Sequence, residues 1–220
     1  MILHVQKKKY CVNTIADKSI GNIHRYIDLG IKGIVIKLGK NFAEIKLLEK
    51  DTIEVGAAAL DKSVSEFAKN NNIANMEFLS CIPGSIGGAI TMNSGCYGSD
   101  ISDLLQTIKI LDQKGNEKEI KKEEIKFYYR GTNLPENFII LSATLKGSIS
   151  SKNLIEKKQR ELIEKKKKSQ PSQIKTCGST FKNNGEKKAW QLIKDAGCSN
   201  FVVGDAVISE KHCNFFVNKG

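Results

Sequence analysis

Residues 82–98 read IPGSIGGAITMNSGCYG, and this glycine-rich stretch decides how the rest of the chain is interpreted. It opens on Pro83-Gly84, a dipeptide typical of a tight turn, and its glycines surround one short apolar run, residues 89–92. Glycine lets bare backbone approach a ligand, and unpaired N–H groups in such a loop can bind phosphate. The composition predicts a ligand-binding loop rather than core, although a hairpin or connector with ordinary turn glycines fits it equally well.

The glycine spacing excludes two well-known phosphate-binding motifs, G-x-G-x-x-G and G-x-x-x-x-G-K-[ST]. The stretch instead resembles the flavin-binding segment of the UDP-N-acetylenolpyruvoylglucosamine reductases, a family of bacterial flavoenzymes of peptidoglycan synthesis. The resemblance extends over about residues 31–220. It implies that the following residues bind FAD: Pro83, Gly84, Ser85, Gly87, Gly88, Ala89, Asn93, Gly95, Tyr97 and Gly98.

Two later segments carry the same resemblance. On its own, Tyr129-Arg130 favours a cation–π contact at the surface, and Gly-Ser-Thr at 178–180 is an ordinary loop. The resemblance implies that Arg130 and Ser179 are catalytic, Arg130 stabilising charge on the substrate carboxylate and Ser179 giving a proton to the adjacent carbon. Arginine suits that place because its planar fork pairs with a carboxylate through two hydrogen bonds. Tyr129, Lys182 and Asn183 are implied to bind the substrate.

Hydrophobic periodicity predicts the secondary structure around these segments. A helix from Leu60 shows apolar residues at helical spacing, with Ser63 and Glu66 as a capping box and Asn70–Asn72 at its end. Residues 151–168 predict a solvated helix that links two domains, and residues 189–196 a helix that ends at Gly197. Strands are predicted at 34–38, 42–48, 53–57, 107–112, 117–120 and 138–145.

Composition narrows the class of protein. The chain has 220 residues, of which 27% are charged and 40% hydrophobic, and no apolar run reaches the length of a membrane span. The six cysteines and three histidines are scattered without metal-ligand spacing, which predicts free thiols, a cytoplasmic protein and no metal site. The net charge of +11 comes mostly from lysines that are not interleaved with aromatic residues, so a nucleic-acid partner is not expected.

These observations and the resemblance together predict an α+β fold. We expect an FAD-binding domain of the vanillyl-alcohol-oxidase/PCMH type at 1–148 and a smaller α/β substrate-binding domain at 149–220. The resemblance implies an NADPH-dependent flavoenzyme that reduces UDP-N-acetyl-3-O-(1-carboxyvinyl)-glucosamine to UDP-N-acetylmuramate in cell-wall synthesis. FAD and NADPH are the expected cofactors, a nucleotide sugar is the expected small-molecule partner, and a monomer is expected without membrane contact.

The resemblance is incomplete at both ends of the chain. Residues 19–22, Ser-Ile-Gly-Asn, have some of the letters of the family's second phosphate-binding turn but not their order. The family also uses a glutamate beyond the segment that here ends at Gly220, so we expect truncation at both ends relative to the family. Two alternatives therefore stay open: a non-catalytic fragment or remnant of that enzyme, and another FAD-linked oxidoreductase on the same fold.

Overall fold

The computed structural model describes residues 36–135, 138–171, 176–183 and 185–220. The chain divides into two compact units, residues 1–162 and 163–220. Within the described ranges every pairing between strands is antiparallel, and helices occur in both units. This arrangement is that of an α+β protein, as expected. The domain limits 1–148 and 149–220 stay a prediction.

The described α-helices are α1 (Asp61–Asn70), α2 (Ile86–Thr91), α3 (Lys152–Ser169) and α4 (Ala189–Asp195). The strands of the first unit are β1 (Ile45–Glu49), β2 (Thr52–Gly56), β3 (Ile73–Ala74), β4 (Gly95–Cys96), β5 (Ser99–Asp100), β6 (Leu105–Leu111), β7 (Glu117–Lys121), β8 (Phe127–Tyr128), β9 (Gly131–Thr132), β10 (Ile139–Lys146) and β11 (Ser148–Ile149). The strands of the second unit are β12 (Thr176–Ser179), β13 (Val202–Val203), β14 (Ala206–Ile208) and β15 (Phe215–Asn218).

The first unit is built on a five-stranded sheet in the order β1-β2-β10-β6-β7. Ile53, Val55 and Ala57 are buried, as their alternation predicted, and the predicted strands that form the β6–β7 hairpin and β10 are confirmed. Such alternation works because successive side chains of a strand point to opposite faces of the sheet. The prediction at 42–48 began too early, because residues 40–43 form a 3₁₀ turn and β1 starts at Ile45.

Helix α1 is confirmed, but its predicted start is wrong. It begins at Asp61, and Leu60, expected in the core, is 56% exposed at the N-cap position. Ser63 and Glu66 lie inside the first turns of the helix and form no capping box there. The end is as expected, since Asn71 is the C-cap and Asn72 takes a positive φ of 61°.

Helix α3 is more than a solvated linker, which corrects the sequence-based expectation. Its residues Ile155, Gln159 and Leu162 form a buried stripe at helical spacing in the first unit. The Gln159 amide donates to the Ser65 hydroxyl at 2.7 Å and to the Ser65 carbonyl at 3.1 Å. Lys158 pairs with the buried carboxylate of Glu77 at 3.5 Å. A polar residue at the centre of the stripe hid it from a search for apolar periodicity.

The second unit is a four-stranded sheet, β12-β15-β14-β13, with helix α4 beside it in sequence. Gly197 ends α4 with φ 71°, as predicted. Trp190 is half-buried rather than a full core residue, although Ala189 is buried. The predicted strand at 34–38 is not found at residues 36–38, and its first two residues lie outside the described residues, as does the segment 19–22.

Candidate active site

The centre of the glycine-rich stretch is a helix rather than a loop, which corrects the prediction of a loop there. Residues 86–91 form helix α2, and its positions 86–90 are all buried. The N–H of Ile86 donates to the Ala59 carbonyl at 3.0 Å, and the N–H of Gly87 donates to the Ala57 carbonyl at 2.9 Å. These two amides are therefore engaged within the protein, so neither Ile86 nor Gly87 offers its N–H group to a phosphate.

Three of the glycines have structural reasons for being glycine. A Cβ on Gly87 would lie 3.1 Å from the Ala57 Cβ, so the missing side chain allows α2 to pack on β2. A Cβ on Gly95 would lie 2.4 Å from the Asp100 Cβ across the β4–β5 hairpin. Tyr97 and Gly98 form the two-residue loop of that hairpin with φ values of 57° and 87°, the pattern of a type I′ turn.

Asn93 ends helix α2, and its side-chain oxygen accepts no hydrogen bond from a described residue. It ends α2 with φ 43°, while the N–H of Ser94 donates to the Ala89 carbonyl at 2.8 Å in a Schellman arrangement. Its amide nitrogen approaches Asp100 Oδ2 at 3.4 Å. Its Oδ1 is buried and has no hydrogen-bond partner among the described residues. Buried acceptors are normally satisfied, so this oxygen fits a donor group on a bound cofactor such as FAD.

The other predicted cofactor-binding residues surround this helix. Pro83 is exposed and Ser85 is half-buried at the N-cap, whereas Gly88 and Ala89 are buried within α2. The carbonyl of Gly84 accepts the N–H of Asp61 at 3.1 Å, which joins the turn to the start of α1. The structure thus brings the residues of 83–98 together as one compact segment, and their contact with FAD stays a prediction.

Tyr129 and Arg130 form the two-residue loop of the β8–β9 hairpin. Arg130 is half-buried and has φ 59°, a left-handed conformation that costs a non-glycine residue of order 1 kcal/mol or more. Its guanidinium carbon lies 5.7 Å from the centre of the Tyr129 ring, the contact expected from the sequence. The hydroxyl of Thr132 donates to the Thr91 carbonyl at 3.4 Å, so this turn is joined to α2.

Ser179 is the last residue of β12, where it pairs with Phe215. Its side chain is half-buried, and its hydroxyl makes no hydrogen bond to another described residue. Lys182 is exposed and makes no hydrogen bond to Ser179 within the described part of the second unit. The side-chain oxygen of Asn183 accepts the N–H of Ala189 at 3.0 Å, so it helps to fix the start of α4. Substrate contacts of these residues stay predictions.

Sequence reasoning missed two residues near these positions. Thr132 escaped notice because its link to Thr91 joins residues far apart in the chain. Asn214 is buried and bonds to the backbone of Phe181, 33 residues away. The only signal in the sequence was a polar residue inside the apolar run that leads into β15, which is the kind of residue that needs buried partners.

His212 lies among aromatic and backbone groups of the second unit. Its ring lies edge-on to Phe215 at 4.9 Å and to Trp190 at 6.5 Å between centres. Its Nδ1 accepts the N–H of Asn214 at 3.2 Å, which places the proton of the neutral ring on Nε2. Burial lowers the pKa of His212, since the desolvated ring resists a charge.

Outside these segments, the described residues contain a cavity but no cluster of metal ligands and no helix that could cross a membrane. A cavity of about 450 Å³ in the first unit is lined by residues that include Ser99, Asp103 and Lys146, and none of its lining residues is a predicted site residue. The described residues hold no cluster of three potential metal ligands, and none of their helices is both long and apolar enough to cross a membrane.

The described fold is that of an α+β protein, and comparison with known proteins shows that its class is that of the FAD-binding flavoproteins. The family model "FAD binding domain" matches residues 13–121, which confirms the expected fold class. The model "UDP-N-acetylenolpyruvoylglucosamine reductase, C-terminal domain" matches residues 170–220.

Named relatives agree with these domains. The UDP-N-acetylenolpyruvoylglucosamine reductase of Pelagibacter ubique (strain HTCC1062) is 50% identical over 190 residues, 85% of this chain and 63% of the relative. That of Wolbachia sp. subsp. Drosophila simulans (strain wRi) is 46% identical over 192 residues, 87% and 65% of the two chains. The crystal structure of the reductase from Thermus caldophilus superposes with a TM-score of 0.80 at 32% identity, covering 88% of this chain and 70% of that one. The chain belongs to the UDP-N-acetylenolpyruvoylglucosamine reductase family, and it spans between 63% and 70% of the length of these relatives.

Proposed function

We propose that this chain carries out the family's reaction, the NADPH-dependent reduction of UDP-N-acetyl-3-O-(1-carboxyvinyl)-glucosamine to UDP-N-acetylmuramate in peptidoglycan synthesis. The proposal includes a cytoplasmic, monomeric enzyme with a nucleotide-sugar substrate. Bound FAD would supply a two-electron relay that takes a hydride from NADPH and passes it to the vinyl carbon. The chain's own residues must then bind the substrate, stabilise negative charge and supply one proton.

The observation that carries the proposal is the state of Ser179. Its hydroxyl lies at the end of a strand, half-buried and without a hydrogen bond to another described residue, so it is available to a ligand. When hydride adds to the vinyl carbon, charge develops at the adjacent carbon and its carboxylate. Proton transfer from the Ser179 hydroxyl to that adjacent carbon completes the reduction, with the serine recovering its proton from solvent.

Arg130 has a separate part in the proposal. A guanidinium can hold a carboxylate through two hydrogen bonds and so stabilise the charge that develops during hydride addition. The structure supports this with the left-handed backbone of Arg130, since strained positions persist where a side chain must be aimed. Tyr129, next in the same turn, is 59% exposed, so a substrate can reach its ring.

The test separates the two half-reactions. In Ser179→Ala, NADPH should still bleach the bound flavin, whereas reoxidation by the enolpyruvyl substrate should fall about 10²–10⁴-fold. Stopped-flow absorbance of the flavin measures both steps. Thr180→Ala, which removes an exposed hydroxyl from the next residue, is the matched control and should reoxidise normally. Normal reoxidation in Ser179→Ala would remove Ser179 from the mechanism, and no reoxidation by the unaltered chain would contradict the proposed function itself.

A further inference from the structure

The backbone that presents Ser179 is not held by a regular sheet ladder. The pairing of β12 with β15 is irregular between Thr176 and Ser179, and Gly178 between them has φ 84°. The chain leaves the sheet directly after Ser179, where the next two residues lie outside any strand. A serine at such a point needs further contacts if its hydroxyl is to keep one direction.

Asn214 supplies three such contacts to the two residues that follow Ser179. Its carbonyl accepts the N–H of Thr180 at 2.8 Å. Its side-chain Oδ1 accepts the N–H of Phe181 at 2.9 Å, and its Nδ2 donates to the Phe181 carbonyl at 2.9 Å. Asn214 itself is 4% exposed. Losing these partly buried hydrogen bonds is unfavourable, because a polar group that loses its partner away from water stays desolvated and unpaired.

The side chain of Asn214 is chemically specific for this task. Bracketing one peptide unit requires a donor and an acceptor side by side, and among side chains of this length only asparagine offers both. Aspartate keeps the acceptor for the Phe181 N–H but places a second oxygen against the Phe181 carbonyl. The interaction therefore distinguishes asparagine from a nearly isosteric residue, which makes it open to experiment.

We propose that Asn214 is a positioning residue that fixes the direction of the Ser179 hydroxyl for proton transfer. The proposal rests on the proposed function, in which Ser179 is the proton donor. Asn214 acts through the backbone of Thr180 and Phe181 and contacts neither substrate nor cofactor in this role.

The experiment is a double-mutant cycle of Ser179→Ala with Asn214→Ala, read by the two flavin half-reactions. Asn214→Ala alone should leave bleaching by NADPH unchanged and slow reoxidation by the enolpyruvyl substrate about 10²-fold, the effect of a misplaced reacting group. In the Ser179→Ala background it should add almost nothing. Asn218→Ala is the matched control, because Asn218 lies on the same strand β15 and its side chain accepts the Gly220 N–H, which is not part of the Ser179 segment.

A second variant and a second readout separate positioning from mere folding. Asn214→Asp keeps one of the two side-chain bonds, so it should slow reoxidation less than Asn214→Ala. Amide hydrogen exchange at Thr180 and Phe181 should accelerate in both variants. The emission of Trp190, the single tryptophan of the chain, should report unfolding of the second unit at a similar urea concentration in Asn214→Asp and the unaltered protein.

Each outcome has a distinct meaning. Unchanged reoxidation in both Asn214 variants, in a protein whose Ser179→Ala variant is slow, overturns the inference and leaves the proposed function intact. An equal fall in both backgrounds overturns it too, because Asn214 would then act independently of Ser179. A normal rate for Ser179→Ala overturns the proposed proton donor, and with it the positioning role.

Discussion

At the scale of single residues, the second unit depends on a few buried polar contacts. Among its described residues only Ala189, Ser209, Asn214 and Phe215 are buried, so it has little apolar core of its own. Asn214 bonds to the Ser179 segment on one side and to His212 on the other. In so small a core, the protonation state of His212 is expected to affect stability measurably.

The first prediction concerns acid sensitivity of the second unit. The pKa of His212 is lowered in the folded state because the ring is desolvated. The unfolded chain therefore binds a proton more readily, so the contribution of His212 is present above its unfolded pKa of about 6.5 and is lost as the pH falls below it. Urea unfolding followed by Trp190 emission should show a lower midpoint at pH 5.5 than at pH 7.5.

The control for this prediction is His212→Asn, which offers an oxygen acceptor to the Asn214 N–H but cannot titrate in this range. Its midpoint should change much less between the two pH values. The other two histidines, His4 and His24, are retained in both proteins, so the difference isolates His212. An equal change in the variant would show that His212 does not cause the acid sensitivity.

At the scale of elements, the β8–β9 hairpin has a strained backbone at a position where turns usually have glycine. Its loop is Tyr129-Arg130, and Arg130 occupies the left-handed position with φ 59°. The cation–π contact with Tyr129 compensates only in part, since such contacts at exposed sites contribute about 0.5–1 kcal/mol. A non-glycine residue at this strained position is therefore expected to have a role other than forming the turn.

The second prediction is that Arg130→Gly stabilises the protein and impairs the proposed reaction. Glycine adopts positive φ freely, so the free energy of unfolding should rise by up to about 1 kcal/mol in urea unfolding followed by circular dichroism. Substrate-driven reoxidation of the flavin should fall about 10²–10³-fold, the usual cost of removing one group that stabilises developing charge. Arg130→Lys keeps the strained backbone and the charge, so it should show no gain in stability. A less stable Arg130→Gly protein would contradict the strain argument.

Particular elements show what the sequence could and could not predict. Strands β2, β6 and β10 were predictable because the pattern of apolar residues along a strand is a local property of the chain, and β7 because it follows β6 across a short turn. Helix α2 was not, because its glycines suggested a loop and their actual reason, the close approach of Gly87 to Ala57, is a contact between distant residues. The buried stripe of α3 was missed because Gln159 stands at its centre and finds its partner in Ser65, 94 residues earlier.

The candidate site also contains residues that the sequence predicted and contacts that it could not predict. The segments 83–98, 129–130 and 178–183 were found from residue patterns and from the family resemblance. The hydrogen bonds that hold them, Thr132 to Thr91 and Asn214 to Phe181, join residues 41 and 33 positions apart and have no local signature. Asn93 is the exception, because an asparagine directly after a helix is a recognisable end signal as well as a predicted ligand.

At the scale of the whole molecule, the two units can be observed separately. Circular dichroism reports the helices and sheets of the whole chain, whereas the single tryptophan, Trp190, reports the second unit alone. The match to an FAD-binding domain covers residues 13–121, which belong to the first unit. A ligand that binds only the native form of a protein stabilises it by RT ln(1 + [L]/Kd).

The third prediction follows from this linkage. FAD at a hundred times its dissociation constant should raise the free energy of unfolding of the first unit by about 2.7 kcal/mol. Urea unfolding followed by circular dichroism measures the shift, and Trp190 emission is recorded in the same samples.

Asn93→Gly keeps the positive φ that ends α2 but removes the unpaired Oδ1, so it should weaken FAD binding about 5–10-fold, the value of one hydrogen bond. Asn72→Gly, which makes the same change at the positive-φ residue that follows α1, is the matched control for the backbone. A stabilisation seen only by Trp190 emission would place FAD in the second unit, and equal binding by Asn93→Gly would show that the buried oxygen of Asn93 does not contact the cofactor.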